Sequence, residues 1–283
     1  MIKSVYFNDK VFESKDALFK ALKDNEDDII EFKKGHVYKG IDKCVTTGQL
    51  SKDIETAKGI GFRAKDGFIY PIISTTRYMD SHDDVHFDGC FNKTVKDQEG
   101  RVYYCADHNL STTGVVANKR DVKMMIKSIP WSVVGKDYEG QTQKLIFEIE
   151  KSKIINEIAL KLIESDPDIE NSIRMIYTDV QMGINSKDKA FAENKAYFDS
   201  RIDMIANKEK AISQGYFFGV ESLKIHKEGS MVIEGGSNDA TRIYQNAVSA
   251  SADSNALKIE SGDTTQTTEK PDYSGIYKQI KFY

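Results

Sequence analysis

Hydrophobic and polar positions change their period several times along the chain. Ser4–Phe7 and Val11-Phe12 are short apolar runs of strand type. Ser14 stands where a helix cap is needed, since its hydroxyl can accept an orphan backbone N–H, and Leu18, Ala21 and Leu22 follow on one helical face. Ile29–Phe32 reads as a returning strand. From Lys33 to Lys58 the sequence turns lysine-rich and irregular, so residues 1–58 are expected to form a small N-terminal α+β module. Between Gly59 and Glu150 the runs shorten and are broken by Gly, Asp and Asn. Phe68–Ser74, Arg101–Cys105, Gly114–Ala117, Val122–Ile126 and Lys144–Glu150 all have the Val, Ile, Tyr and Phe content that suits a pleated, half-buried surface. So many short strands at modest spacing predict an antiparallel barrel or sandwich.

Helical period returns over Lys151–Glu164, where Ile154, Ile158 and Leu162 stack at i, i+4 and i+8. Pro167 helps to stop that helix, because the residue before proline avoids the α region. Ile169–Tyr177 alternates again: Ile169, Asn171, Ile173, Met175 and Tyr177 lie on one face, and Glu170, Ser172, Arg174 and Ile176 on the other. Ser172 thus sits away from the main apolar side, where an accessible nucleophile is expected. A second helix is predicted over 186–213 with Phe191, Phe198, Ile202 and Ile205 as its stripe, an insertion between two strand regions. Strands resume over Tyr216–Val220 and Ser222–Ile233. Asn246–Lys270 contains no aromatic residue and is rich in Ser, Thr, Asp and Asn; such a stretch cannot bury enough apolar surface to offset the entropy of ordering. Tyr273–Tyr283 is aromatic again, with four aromatic residues and two isoleucines, and reads as a docking peptide at the end of a disordered tail over 246–283.

Composition narrows the function classes. Forty basic against 44 acidic residues give a net charge of −4, which points to neither nucleic acid nor an anionic membrane. Fourteen Phe, 14 Tyr and one Trp can fill a core of domain size. Three cysteines without CxxC spacing (Cys44, Cys90 and Cys105) read as free thiols in a reducing compartment. No apolar run approaches the roughly 20 residues of a membrane span, and Met1–Tyr6 lacks the apolar centre of a signal peptide. A soluble intracellular protein is expected.

Several constellations compete as the chemical centre. Asp80-Ser81-His82-Asp83-Asp84-Val85-His86 is dense in metal-ligand types, and His82 and His86 have the i, i+4 spacing of a helical ligand pair. Phe87-Asp88-Gly89 does not continue a helix, so a solvated acidic loop is preferred over a metal-dependent hydrolase. Gly59-Ile60-Gly61-Phe62 is too short for a nucleotide loop and reads as a turn. Cys105 lies inside a tyrosine-rich strand and is expected to be a small buried residue. His108 ends that strand, and Ser172 follows it in chain order. Spacing alone leaves a structural histidine and a surface serine as the simpler readings.

Motif order shifts that balance. Asp84–Phe91, with its acidic turn leading into Gly-x-Phe, resembles a stretch of the prohead serine proteases of tailed bacteriophages. Asp107-His108 followed by Thr113-Gly114 resembles that family's histidine block, and Asn171-Ser172-Ile173 its nucleophile block. Glu228–Val232 with Gly236–Ala240 is similar to its closing strand and Asn-x-Ala turn. The blocks stand in the family's order across about residues 77–243. Two positions depart from it: Arg174 stands where the family commonly has glycine, and Gly229 where it usually has a branched apolar residue.

The resemblance implies an α+β protein built on a mainly antiparallel β-barrel protease core at 59–245, flanked by helices. It implies Ser172 as nucleophile, His108 as general base and Glu228 as the group that orients the imidazole. His226 is the rival third member, since herpesvirus assembly proteases use a histidine there and alternation puts residues 226 and 228 on one strand face. Gly235 and Gly236 are candidates for the oxyanion amides. No cofactor or metal is implied. The implied partners are phage scaffold and major capsid proteins, with self-association and self-cleavage inside the immature capsid in the host cytoplasm, and no nucleic acid or membrane.

Overall fold

A computed structural model describes residues 2–35 (apart from 3, 5, 8 and 9), 65–233 (apart from 167 and 168) and 243–244. Two N-terminal helices begin it. In α1 (Lys15–Asp24), Ser14 Oγ accepts the Ala17 N–H at 3.1 Å, the capping bond anticipated from sequence, and Leu18, Phe19 and Leu22 are buried. The predicted strand at Ile29–Phe32 is instead part of α2 (Glu26–Gly35). Three acidic residues open α2 and Lys33 and Lys34 close it, which suits the helix dipole at both ends. Ile29, Ile30 and Phe32, interrupted by Glu31, did not reveal that the buried residues of α2 are Ile29 and Lys33, one turn apart.

Nine strands follow among the described residues. One sheet has the order β5-β6-β1-β9, with β1 (Phe68–Thr75), β5 (Lys123–Pro130), β6 (Gln141–Glu150) and β9 (Ile243–Tyr244) all antiparallel. The second sheet is built around β8 (Tyr216–Val232). Along one edge β8 takes β2 (Asp84–His86) and then β3 (Tyr103–Ala106), both parallel, and β4 (Val115–Ala117) flanks β3. Along its other edge β8 pairs antiparallel with β7 (Glu170–Ile184). The α+β class holds, but parallel pairs make this sheet mixed, and neither sheet closes into a barrel among the described residues.

The helices α3 (Asn92–Asp97), α4 (Glu157–Ser165), α5 (Ala192–Arg201) and α6 (Lys208–Gln214) lie in the connections. The helix anticipated from Lys151 starts later because Asn156 caps it, its Oδ1 accepting the Ala159 N–H. The insertion at 186–213 is two short helices with 3₁₀ turns between strands, not one continuous helix. It joins β7 to β8 at the Ile184–Tyr216 end of their ladder, whereas Ser172 pairs with Ser230 near the other end. Along β7 those rungs are twelve residue steps apart, about 40 Å of β-strand. The long gap between Ser172 and Glu228 is thus an outward and a return path along two paired strands.

One main core joins all of this. Ile69, Ile73 and Phe147 from the first sheet, Tyr104, Ile173 and Phe218 from the second, and Phe19, Leu22 and Ile29 from the N-terminal helices form a single buried cluster. Through residue 35 the N-terminal elements therefore have no core of their own, and the boundary expected near residue 58 lies outside the described residues. The Asp80–His86 segment is also no solvated loop. Asp80, Asp83, Asp84 and His86 are all buried. Asp84 forms a buried ion pair with Lys33 of α2 and accepts the Tyr177 hydroxyl at 2.8 Å. Asp83 Oδ2 accepts the Tyr216 hydroxyl at 3.1 Å, so the acidic density reflects a need to satisfy that lysine and two tyrosines, not contact with water.

Candidate active site

Three adjacent strands set the site out in rungs. Cys105 of β3, Ser230 of β8 and Ser172 of β7 share one rung. Tyr104, Gly229 and Ile173 share the next and face the main core, where the Tyr104 hydroxyl donates to Asn171 Oδ1 at 2.8 Å. The polar residues therefore occupy the opposite face of the sheet. Alternation separated those two faces correctly, but the polar one is packed rather than open: Ser172 is 3% exposed and Ser230 and Cys105 are fully buried. His108, Glu228 and Arg174 fill the space an alternation pattern cannot see.

His108 reaches this face because the chain turns sharply as β3 ends. Asp107 and His108 are both left-handed, with φ of 50° and 55°, a region that costs non-glycine residues energy. The turn is tied down at each step. Asp107 N–H donates to Met231 O at 2.9 Å, His108 N–H to Ser230 Oγ at 2.8 Å, and Asn109 N–H to Ala106 O at 2.9 Å. Gly114 closes the loop because a Cβ there would fall 2.1 Å from Asn109 O. That close approach is the physical content of the glycine a few residues after the histidine.

The imidazole is fixed by one short bond. His108 Nδ1 lies 2.8 Å from Glu228 Oε1, and Glu228 has no exposure at all. With the carboxylate ionised, Nδ1 carries the hydrogen and Nε2 presents its lone pair. The bond goes to Glu228 and not to His226. Ile173 pairs with Gly229 and Met175 with Ile225, so one β7 residue, Arg174, opposes three on β8. Lys227 in that bulge is left-handed with φ 71°, which breaks the alternation that put residues 226 and 228 on one face.

Arg174 completes the cluster. Its Nη2 donates to His108 O at 2.8 Å, and its Nε lies 3.1 Å from the same Glu228 Oε1, an ion pair whose N–H is not aligned on the oxygen. Cys105, on the same face, is a free thiol whose pKa is pushed up to about 12 by burial and then by the Glu228 carboxylate, with Arg174 acting in the opposite sense. It is the small buried residue the sequence suggested, unsuited to nucleophilic work.

Among the described residues, His108 Nε2, Ser172 Oγ and Glu228 Oε2 are buried polar atoms without a hydrogen-bond partner. An unsatisfied buried polar atom costs about 1–3 kcal/mol, and three in one cluster mark a place where packing alone does not explain the residues. Gly229 has a local reason as well: a Cβ there would meet Phe147 at 2.8 Å and Ile73 at 3.1 Å.

The other sequence candidates separate from this centre. His86 sits in the core between Phe91 and Tyr177, its Nδ1 3.4 Å from Ser74 Oγ, and burial lowers its pKa to about 4. It belongs to a strand, so the helical pairing with His82 does not exist. Among the described residues no group of three or more His, Cys, Asp or Glu is arranged to hold a metal ion, and no helix is long and apolar enough to cross a membrane. The Gly59–Phe62 turn, Cys44, Gly235, Gly236 and the tail over 246–283 lie outside the described residues. Sequence reasoning missed Ser230 as the anchor of the His108 backbone; its direct cross-strand position relative to Ser172 was not visible without the register. No protein-family model, curated protein or solved structure matches the chain.

Proposed function

We propose that the chain is a serine endopeptidase of prohead-protease type, with Ser172 as nucleophile, His108 as general base and Glu228 as the orienting carboxylate. The observation that carries this reading is the His108–Glu228 bond at 2.8 Å, which leaves Nε2 as the acceptor, on a sheet face that also holds the unpartnered Ser172 hydroxyl. In the reaction His108 takes the Ser172 proton as the oxygen attacks a peptide carbonyl. Glu228 stabilises the imidazolium, and His108 then returns the proton to the leaving amine. The motif resemblance supplies the substrates: scaffold or capsid protein of an immature phage capsid, and the chain itself, with the barrel-type protease core as the implied fold.

One observation favours a second reading, an assembly protein on the same fold without catalysis. Ser172 is buried, and its Oγ and His108 Nε2 are not hydrogen-bonded to one another. An active enzyme must bring the two together when substrate enters, as apo sites often do. Incubating purified full chain with a fluorophosphonate probe, and following its length over time, separates the two readings. The protease labels at Ser172 and shortens itself, and both events stop in Ser172→Ala and His108→Ala. Glu228→Gln lowers the rate by orders of magnitude while His226→Gln leaves it within a few-fold. An unlabelled, uncut parent chain in the presence of scaffold protein supports the assembly reading.

A further inference from the structure

We infer that Arg174, the residue that stands where the resembled family has glycine, is the positioning residue of the His108 base: it fixes the turn that carries the imidazole and balances the charge of Glu228. Its catalytic consequence rests on the serine-protease reading, but its effect on His108 does not.

Geometry carries the positioning half. The His108 backbone is gripped at both ends, its N–H by Ser230 Oγ and its carbonyl by Arg174 Nη2, each at 2.8 Å. Two successive left-handed non-glycine residues do not persist unless their surroundings hold them, and these two bonds are the holding contacts on His108 itself. Arg174 can reach because the bulge leaves it alone opposite residues 226–228. A glycine at 174 would leave the His108 carbonyl without this donor.

Charge carries the other half. Glu228 Oε1 serves His108 Nδ1 at 2.8 Å and Arg174 Nε at 3.1 Å. Among the described residues, the charged or titratable groups on this face are Glu228 from β8, Arg174 from β7 and the Cys105 thiol from β3, with Asp107 preceding His108 in the turn. A buried carboxylate bonded to an imidazole alone draws a proton onto the ring, and an imidazolium cannot act as a base. With the guanidinium on the same oxygen, the carboxylate is already compensated, and the neutral ring with Nε2 free is favoured. Arg174 touches the base and its carboxylate and has no described contact with Ser172, so it acts through His108.

The test is an NMR titration of the full chain labelled at histidine, with the His108 signal assigned by its loss in His108→Gln. In Arg174→Gln the His108 titration is expected to move to higher pH, because removing the positive charge that shares Glu228 Oε1 favours the protonated ring. The acid limb of the kcat/KM profile moves to higher pH by the same amount, because the base must be deprotonated. Arg174→Lys keeps the charge but loses the planar fork, so its His108 pKa stays within about half a unit of the parent while kcat falls at least tenfold with KM little changed. In Arg174→Ala, millimolar guanidinium brings both the pKa and kcat back towards the parent. A folded Arg174→Gln whose His108 pKa does not move overturns the inference. Should that variant not fold, an Arg174→Lys with parental kcat, or no guanidinium response, overturns it instead. If the parent proves not to be a protease, the titration still reads out Arg174, so the two failures are distinguishable.

Discussion

Gly229→Val restores the branched apolar residue that the resembled family carries beside its acidic triad member, and the structure predicts that it damages this protein. An ideal Cβ at 229 would lie 2.8 Å from Phe147 Cε2, 3.0 Å from Cζ and 3.1 Å from Ile73 Cγ2. Neither neighbour can retreat easily. Phe147 is fully buried and packs edge-on against Tyr104 at 6.2 Å between centroids, and Ile73 is 1% exposed. Over-packing of this kind costs about 1–3 kcal/mol, and valine adds two methyl groups beyond the clashing Cβ, which puts it at the upper end. The backbone at 229 is not left-handed, so replacing glycine returns about 0.4–1 kcal/mol through the unfolded state. The net expectation is a loss of about 2–3 kcal/mol, or roughly 5–10 °C in Tm for a chain of this size class. Thermal and urea unfolding of the parent, Gly229→Val, Phe147→Ala and the double variant form a cycle. Truncating Phe147 empties the space valine needs, so the double variant should be more stable than the summed singles by at least about 1 kcal/mol. A Gly229→Val protein that melts with the parent would refute the packing reasoning and leave the glycine without a structural cause.

Two further outcomes follow from buried titratable groups. Burial, and then the neighbouring Asp84 carboxylate, raise Asp80 from 3.8 to about 7, so between about pH 4 and pH 7 the folded state holds a proton that the unfolded chain has released; stability contributed by Asp80 is present at low pH and is lost as pH rises through that window. Asp80→Asn keeps the Oδ1 acceptor used by the His82 and Asp84 N–H groups and should gain on the parent by up to about 1.4 kcal/mol per pH unit across the window in urea midpoints; a constant difference from pH 4 to pH 7 would refute it. Cys105, held near 12 and buried, should resist iodoacetamide at pH 8 in native protein and react fully in denaturant; rapid native alkylation found at Cys105 by peptide mapping would show the site face to be open.

Elements whose signal is local were legible in the sequence. The Ser14 cap, the Leu18–Leu22 face, the strand at Phe68 and the alternation through Ser172 all follow from spacing and residue type, and all recur in the structure. Long-range pairing was not legible. Asp84–His86 looked like a hydrated turn because its burial depends on a parallel partner more than 130 residues away and on Lys33 of α2. Ile29–Phe32 looked like a strand because three apolar residues around Glu31 are too few to show a helical period. The two strand signals at Tyr216–Val220 and Ser222–Ile233 were a single 17-residue strand whose continuity comes from its neighbours.

The candidate site divides along the same line. His108 and Ser172 could be singled out because each sits at a recognisable local feature, a strand end and an alternating run. Choosing between Glu228 and His226 could not be done from strand period, since the choice is made by a bulge whose cause lies across the sheet at Arg174. That bulge also turns the two departures from the family pattern into one arrangement. Arg174 needs the extra residues opposite it to reach both the His108 carbonyl and the Glu228 carboxylate. Gly229, the first residue beyond the bulge, must be small because the strand there lies directly on Phe147 and Ile73. A chain that had merely lost its catalytic constraints would have no reason to retain a fully buried glutamate bonded to a strained histidine, since each costs stability that packing does not return. Residues that burden the fold and converge on one imidazole are what the proposed protease reading accounts for and the proposed assembly reading does not.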